Sequence, residues 1–79
     1  MRATRASRIF WYFERERDGA PFTVGAPDGQ TVPIFSTPER ALGALPRGHG
    51  IAPVSPTQIE AFALLCHTAG ARFLELDPK

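Results

Sequence analysis

The run Ile9-Phe10-Trp11-Tyr12-Phe13 constrains this chain more than any other segment. It holds the only Trp, the only Tyr and two of the six Phe residues. A strand sends alternate side chains to opposite faces. Ile9, Trp11 and Phe13 therefore share one face, and Phe10 and Tyr12 share the other. Neither face suits water. One is buried in the core of a small domain, and the other needs a second cover. A helix of the same chain or another subunit would supply it.

With 79 residues the chain has room for one domain. A domain of this size is expected to hold on the order of 4–12 kcal/mol of net stability, at about 0.05–0.15 kcal/mol per residue. Its apolar share of 43% and charged share of 22% are those of a globular domain, so disorder is expected only at the ends. The single Cys66 excludes an intrachain disulfide. Small secreted domains usually need such staples, which favours a reducing, cytoplasmic setting. No apolar run approaches the ~18 residues a membrane helix needs. The aromatic run is too short and too strand-like for a signal peptide.

A net charge of +1 argues against non-specific nucleic-acid binding by the whole surface. The charge is uneven. Arg2, Arg5 and Arg8 precede any acidic residue, and the remainder carries six basic and eight acidic side chains.

Residues 1–7 read as a flexible basic arm and residues 8–79 as a single α+β domain. Arg8 to Glu14 form a first strand, since aromatic and β-branched side chains fit a pleated surface. Asp18-Gly19 is a turn signal. Phe22 to Val24 alternate as a half-buried strand does. Ala26-Pro27-Asp28-Gly29 turns again, with Pro27 presetting φ and Gly29 accepting a positive φ. Thr31 to Phe35 make a third strand, in which Pro33 predicts a bulge or an edge. Two tight turns joining three strands predict an antiparallel meander.

Ser36-Thr37-Pro38-Glu39 then caps a short helix reaching about Ala44, ended by Leu45-Pro46. Arg47 to Gly50 read as a flexible loop, and Ile51 to Val54 as a fourth strand. Ser55-Pro56-Thr57-Gln58 repeats the capping device. Ile59, Phe62, Ala63 and Cys66 follow at helical spacing, with Leu65 and Ala69 widening the apolar face. Gly70 ends that helix. Arg72 to Leu76 supply a last strand, with Phe73, Leu74 and Leu76 expected to be buried. The order β-β-β-α-β-α-β predicts a mainly antiparallel five-stranded sheet with two helices packed on it. If the fourth and last strands are neighbours, the helix between them crosses over right-handedly.

Chemistry-bearing residues are sparse. Cys66 and His67 are the only thiol and imidazole side by side. Neighbouring helix positions point about 100° apart, so His67 is poorly placed to activate Cys66. Free Cys is commonly buried as a small hydrophobe, and Cys66 lies on the apolar helix face. His67 near a helix C-terminus is a surface residue helped by the dipole. Two His and one Cys show no paired metal-ligand spacing. No catalytic residue, metal or cofactor is expected.

Arg47, Gly48, His49 and Gly50 offer exposed N–H groups and two side chains to a small anion, though without a phosphate-loop or dinucleotide fingerprint. The basic arm could meet phosphate weakly, but Glu14, Glu16 and Asp18 nearby would repel a nucleic-acid backbone. The aromatic strand is the best clue, because Trp, Tyr and Phe are enriched at subunit interfaces. Phe10, Trp11 and Tyr12 are the candidate interface.

The stretch from Asp28-Gly29 through Val32-Pro33-Ile34-Phe35-Ser36-Thr37-Pro38-Glu39-Arg40 resembles the N-terminal domain of the SseB (enhanced serine sensitivity) family. That family shows a Gly turn, a hydrophobic-Pro-hydrophobic-Phe-Thr/Ser strand and a capped helix. The later strand, helix and strand ending in Leu76-Asp77-Pro78 fit the same layout, with Asp77 where an Asn often precedes the Pro. A further group of small bacterial proteins shares this layout and an aromatic opening strand. The resemblance spans most of the chain, and its specific motif covers about a dozen residues. It implies an α+β fold and a bacterial cytosolic setting, with no catalytic constellation to transfer.

Residues and resemblance together predict a non-enzymatic protein-interaction or regulatory module. It would act as a homodimer or with another protein partner, and would not engage membranes. The alternative from a different class is a small anionic-ligand or nucleotide binder using Arg47 to Gly50.

Overall fold

A computed structural model describes residues 9–26 and 29–78. The basic arm with Arg2 and Arg5, the strand-opening Arg8 and the turn residues Pro27 and Asp28 lie outside the described residues.

The fold is α+β, a five-stranded sheet with two helices. The strands are β1 (Phe10–Arg15), β2 (Val24–Ala26), β3 (Gly29–Phe35), β4 (His49–Val54) and β5 (Ala71–Leu76). The helices are α1 (Pro38–Leu42) and α2 (Ile59–Thr68). Thr37 caps α1 by accepting a hydrogen bond from the Arg40 N–H at 3.2 Å. The Ser55 N–H donates to Gln58 Oε1 at 2.9 Å. This capping stabilises a 3₁₀ turn at Pro56–Gln58 before α2 begins. Gly70, at φ +92°, ends α2 in the left-handed region that a side chain disfavours.

β1 is the centre of the sheet. One edge pairs antiparallel with β4 along its whole length, from Phe10 opposite Val54 to Arg15 opposite His49. The other edge pairs with the end of β3, Trp11 opposite Phe35 and Tyr12 opposite Ile34. The predicted meander is therefore corrected. β2 pairs with the start of β3 rather than with β1. It is the segment before β2, Ala20 to Phe22, that bonds the end of β1, around the bridge of Glu14 with Pro21. The turn after β1 is held by Arg15 and Asp18, whose side chains pair at 2.9 Å. The chain runs back along β1 only as far as Phe22, whose N–H donates to the Phe13 carbonyl at 2.9 Å, before it leaves to form β2.

β5 runs parallel to β3 on its remaining edge. β4 and β5 thus occupy opposite edges, and the condition for a simple crossover between neighbours is not met. Pro33 sits where the partner of β3 changes from β2 to β1, so its missing N–H breaks no pairing. The bulge in β3–β5 pairing lies elsewhere. Gln30 faces Ala71 and Thr31 faces Phe73, which leaves Arg72 as the extra residue.

The two faces of β1 find their covers inside the chain. Tyr12 packs with Val32, Val54, Phe62, Cys66 and Ala71 beneath α2. Phe13 and Phe35 pack with Ala41 of α1 on the other face, joined by Trp11, Phe22 and Ile51. Two elements need correction. Phe73, Leu74 and Leu76, expected to be buried, are 44%, 48% and 51% exposed, because β5 lies at the sheet edge, where α2 buries Ala71 but not the residues that follow it. Residues 49 and 50, expected in a loop, open β4, because β1 extends to Arg15 and offers them partners.

The chain leaves β5 through Asp77, at φ +50°. Its N–H donates to the Ile34 carbonyl at 2.7 Å. Its carboxylate accepts from the Ser36 N–H at 3.0 Å and the Ser36 hydroxyl at 2.8 Å. These bonds clip the end of β5 to the end of β3. They hold the Asp77 carboxyl below its ordinary value of 3.8, the Ser36 N–H contributing most. A lowered folded-state value means stability that is present above about pH 3.8 and lost as pH falls below that, through the lower value of the folded state. Asp18, held low by Arg15 and the Ala20 N–H, acts in the same sense. Asp77→Asn is expected to flatten part of the acid limb of stability measured by denaturant titration at stepped pH. An unchanged acid limb would refute the clip's contribution.

Candidate functional site

Tyr12 is 7% exposed and lies inside the chain's own core, its ring 4.6 Å from that of Phe62. Burial raises its phenol above the ordinary value, and Glu14 adds to the shift. Phe10 and Trp11 are half-buried. Of the three candidate interface residues, β1 therefore keeps two within partial reach of solvent, one on each face of the sheet.

The Arg47 to Gly50 segment is divided by the fold. Arg47 and Gly48 form an exposed turn, with Gly48 at φ +74°. His49 and Gly50 belong to β4. The Gly48 carbonyl accepts from the Glu16 N–H at 2.9 Å, which ties the turn to the end of β1. His49 Nδ1 donates to the Arg47 carbonyl at 2.8 Å, which fixes the ring tautomer. The same ring meets Phe22 edge-on at 5.1 Å. The imidazole thus braces its own turn and has one nitrogen already committed.

Cys66 is buried and His67 exposed, as the helical spacing predicts. Burial pushes the Cys66 thiol up to about 11, the opposite of what a nucleophile needs. Among the described residues no three His, Cys, Asp or Glu side chains gather as a metal site would require.

Among known proteins, no family model, no curated sequence and no solved structure matches this chain.

The surface itself points to β5. A groove of about 370 Å³ runs between α2 and β5, lined by Ala63, Cys66, His67, Ala71, Arg72 and Leu74. On the outer side of α2, Leu64 is exposed as well. The backbone edge of β5 can be assigned. The Asp77 N–H points to Ile34 of β3, and pointing alternates along a strand. The N–H and C=O groups of Leu74 and Leu76 therefore face away from β3. They meet no other strand among the described residues.

The opposite edge is built differently. The Glu16 N–H bonds Gly48, and the same register runs up β4, so Pro53 turns its ring nitrogen outward. Proline with its nitrogen on the free side blunts an edge, because it offers no donor to a further strand. β5 carries no such block.

Sequence reading missed this site because it assigned Phe73, Leu74 and Leu76 to the core. The signal was present. Phe73 and Leu74 point to opposite faces, so β5 poses the same two-sided demand as β1. β1 meets it by being central. β5 is at an edge.

Proposed function

We propose that this chain is a non-enzymatic protein-interaction module of the bacterial cytoplasm that self-associates. One observation carries the reading. An edge strand whose outer backbone groups meet no strand among the described residues exposes three large apolar side chains, Phe73, Leu74 and Leu76. Natural sheets usually blunt such edges, since they template pairing with another chain. A strand left open and apolar on both faces suits recognition by strand addition, where backbone bonds give affinity and alternate side chains give specificity.

The test is molar mass in solution by light scattering across a concentration series. A mass rising toward twice 8.6 kDa supports the reading. A strict monomer throughout would remove self-association.

A further inference from the structure

We propose that β5 is the seam of a two-fold dimer, pairing antiparallel with β5 of a second copy through Leu74. This rests on the self-association proposed above and identifies the surface that performs it.

A two-fold axis perpendicular to a sheet pairs strands so that facing residue numbers sum to an even value. The outward groups of Leu74 and Leu76 must also meet partners. Three registers satisfy both conditions near the middle of β5. Pairing Leu74 with Leu76 of the second copy sets Glu75 against its own counterpart, and like charges directly opposite are destabilising. Pairing Leu74 with Arg72 places the bulged residue in the hydrogen-bonding position, where the ladder is already distorted. Pairing Leu74 with itself avoids the Glu75 clash and moves the bulged Arg72 from the centre of the seam to its ends, opposite Leu76.

In that register Phe73 faces Glu75 of the second copy. The Arg72 guanidinium lies over the Phe73 ring, 6.0 Å from its centroid. Its stem lies against Gly29, where a Cβ would fall 2.7 Å from Arg72 Cδ, so glycine leaves room for this path. The incoming carboxylate thus arrives beside a guanidinium. The sole ion pair among the described residues joins Arg15 and Asp18, so Arg72 and Glu75 bring unpaired opposite charges to the seam. Two-fold symmetry makes the contact twice. On the other face Leu74 meets Leu74. The product is one continuous sheet with both α2 helices on the same side. A seam of about six residues a side is small against the ~20–30 of a standard interface, so a Kd in the micromolar range or weaker is expected.

Light scattering of the wild type, Leu74→Glu, Glu75→Arg and the exchange Arg72→Glu with Glu75→Arg tests the seam. Circular dichroism checks each fold. These side chains are exposed, so the fold is expected to survive. Leu74→Glu should raise the dimer Kd at least tenfold. Glu75→Arg should weaken dimerisation, and the exchange should restore it. Leu74→Cys should cross-link to its counterpart under mild oxidation, since a hydrogen-bonded pair at about 5.5 Å between Cα atoms fits a disulfide.

A wild-type dimer that persists in folded Leu74→Glu would overturn the seam while leaving self-association standing. A dimer that Glu75→Arg weakens and the exchange does not restore would overturn the proposed register. A wild-type monomer would overturn both proposals and leave the edge to a strand from another protein.

Discussion

Phe62→Ala is expected to remove about 3–5 kcal/mol, the usual loss for a buried Phe truncated in a core. Phe62 is the one aromatic that α2 sends into the sheet. It packs on Tyr12 at 4.6 Å and shares a cluster with Val32, Val54 and Cys66. Nothing nearby can close the gap, because Val32 is fully buried in a strand paired on both edges. A 79-residue domain holds on the order of 4–12 kcal/mol, so this loss takes a large share. Tm should fall by on the order of 12–40 °C, at roughly 4–8 °C per kcal/mol for a domain of this size. Leu64→Ala on the same helix is the control. Leu64 is mostly exposed, so its truncation should change stability by no more than about 0.5 kcal/mol. Guanidinium melts of the two variants give the comparison. A loss under ~1 kcal/mol for Phe62→Ala would mean that α2 is not the main cover of this face.

Much of this architecture is legible before any coordinates. The two capping segments mark both helix starts to within a few residues, because a Ser or Thr cap followed by Pro satisfies backbone groups locally and needs no tertiary partner. Cys66 and Phe62 at i and i+4 mark the buried stripe of α2. Pairing was less legible. Which strand lies beside β1 depends on where the chain goes after Arg15. The Arg15–Asp18 pair and the Ala20 N–H on Asp18 shape that turn through local side-chain bonds that no periodicity reports. The candidate site was hidden for a related reason. An apolar pattern says that a side chain wants cover, and only topology decides whether it is given any. Phe13 and Phe73 look alike in sequence, yet one is 2% exposed in a central strand and the other 44% exposed at an edge.

Cys66 is expected to react with a thiol reagent at least a hundredfold more slowly in the native protein than in the unfolded chain. The thiolate is the reactive species. Raising the thiol from 9.0 to about 11 lowers its thiolate fraction at neutral pH by about a hundredfold. Burial beneath α2 slows the reaction further, since the reagent must wait for the helix to lift from Val32 and Ala71. Stopped-flow labelling in water and in denaturant measures both rates. The native rate should climb about tenfold per pH unit from neutral to pH 9, and denaturant should abolish the protection. Native labelling at the unfolded rate would mean an accessible, activated thiol, and a nucleophilic role for Cys66 would then displace the non-enzymatic reading. Because the thiol reports the opening of α2 beside β5, the same measurement bears on the seam. If a second copy binds only the closed form, labelling should slow further as protein concentration rises through the dimer Kd. Protection independent of concentration would mean that opening of α2 is not coupled to the β5 edge.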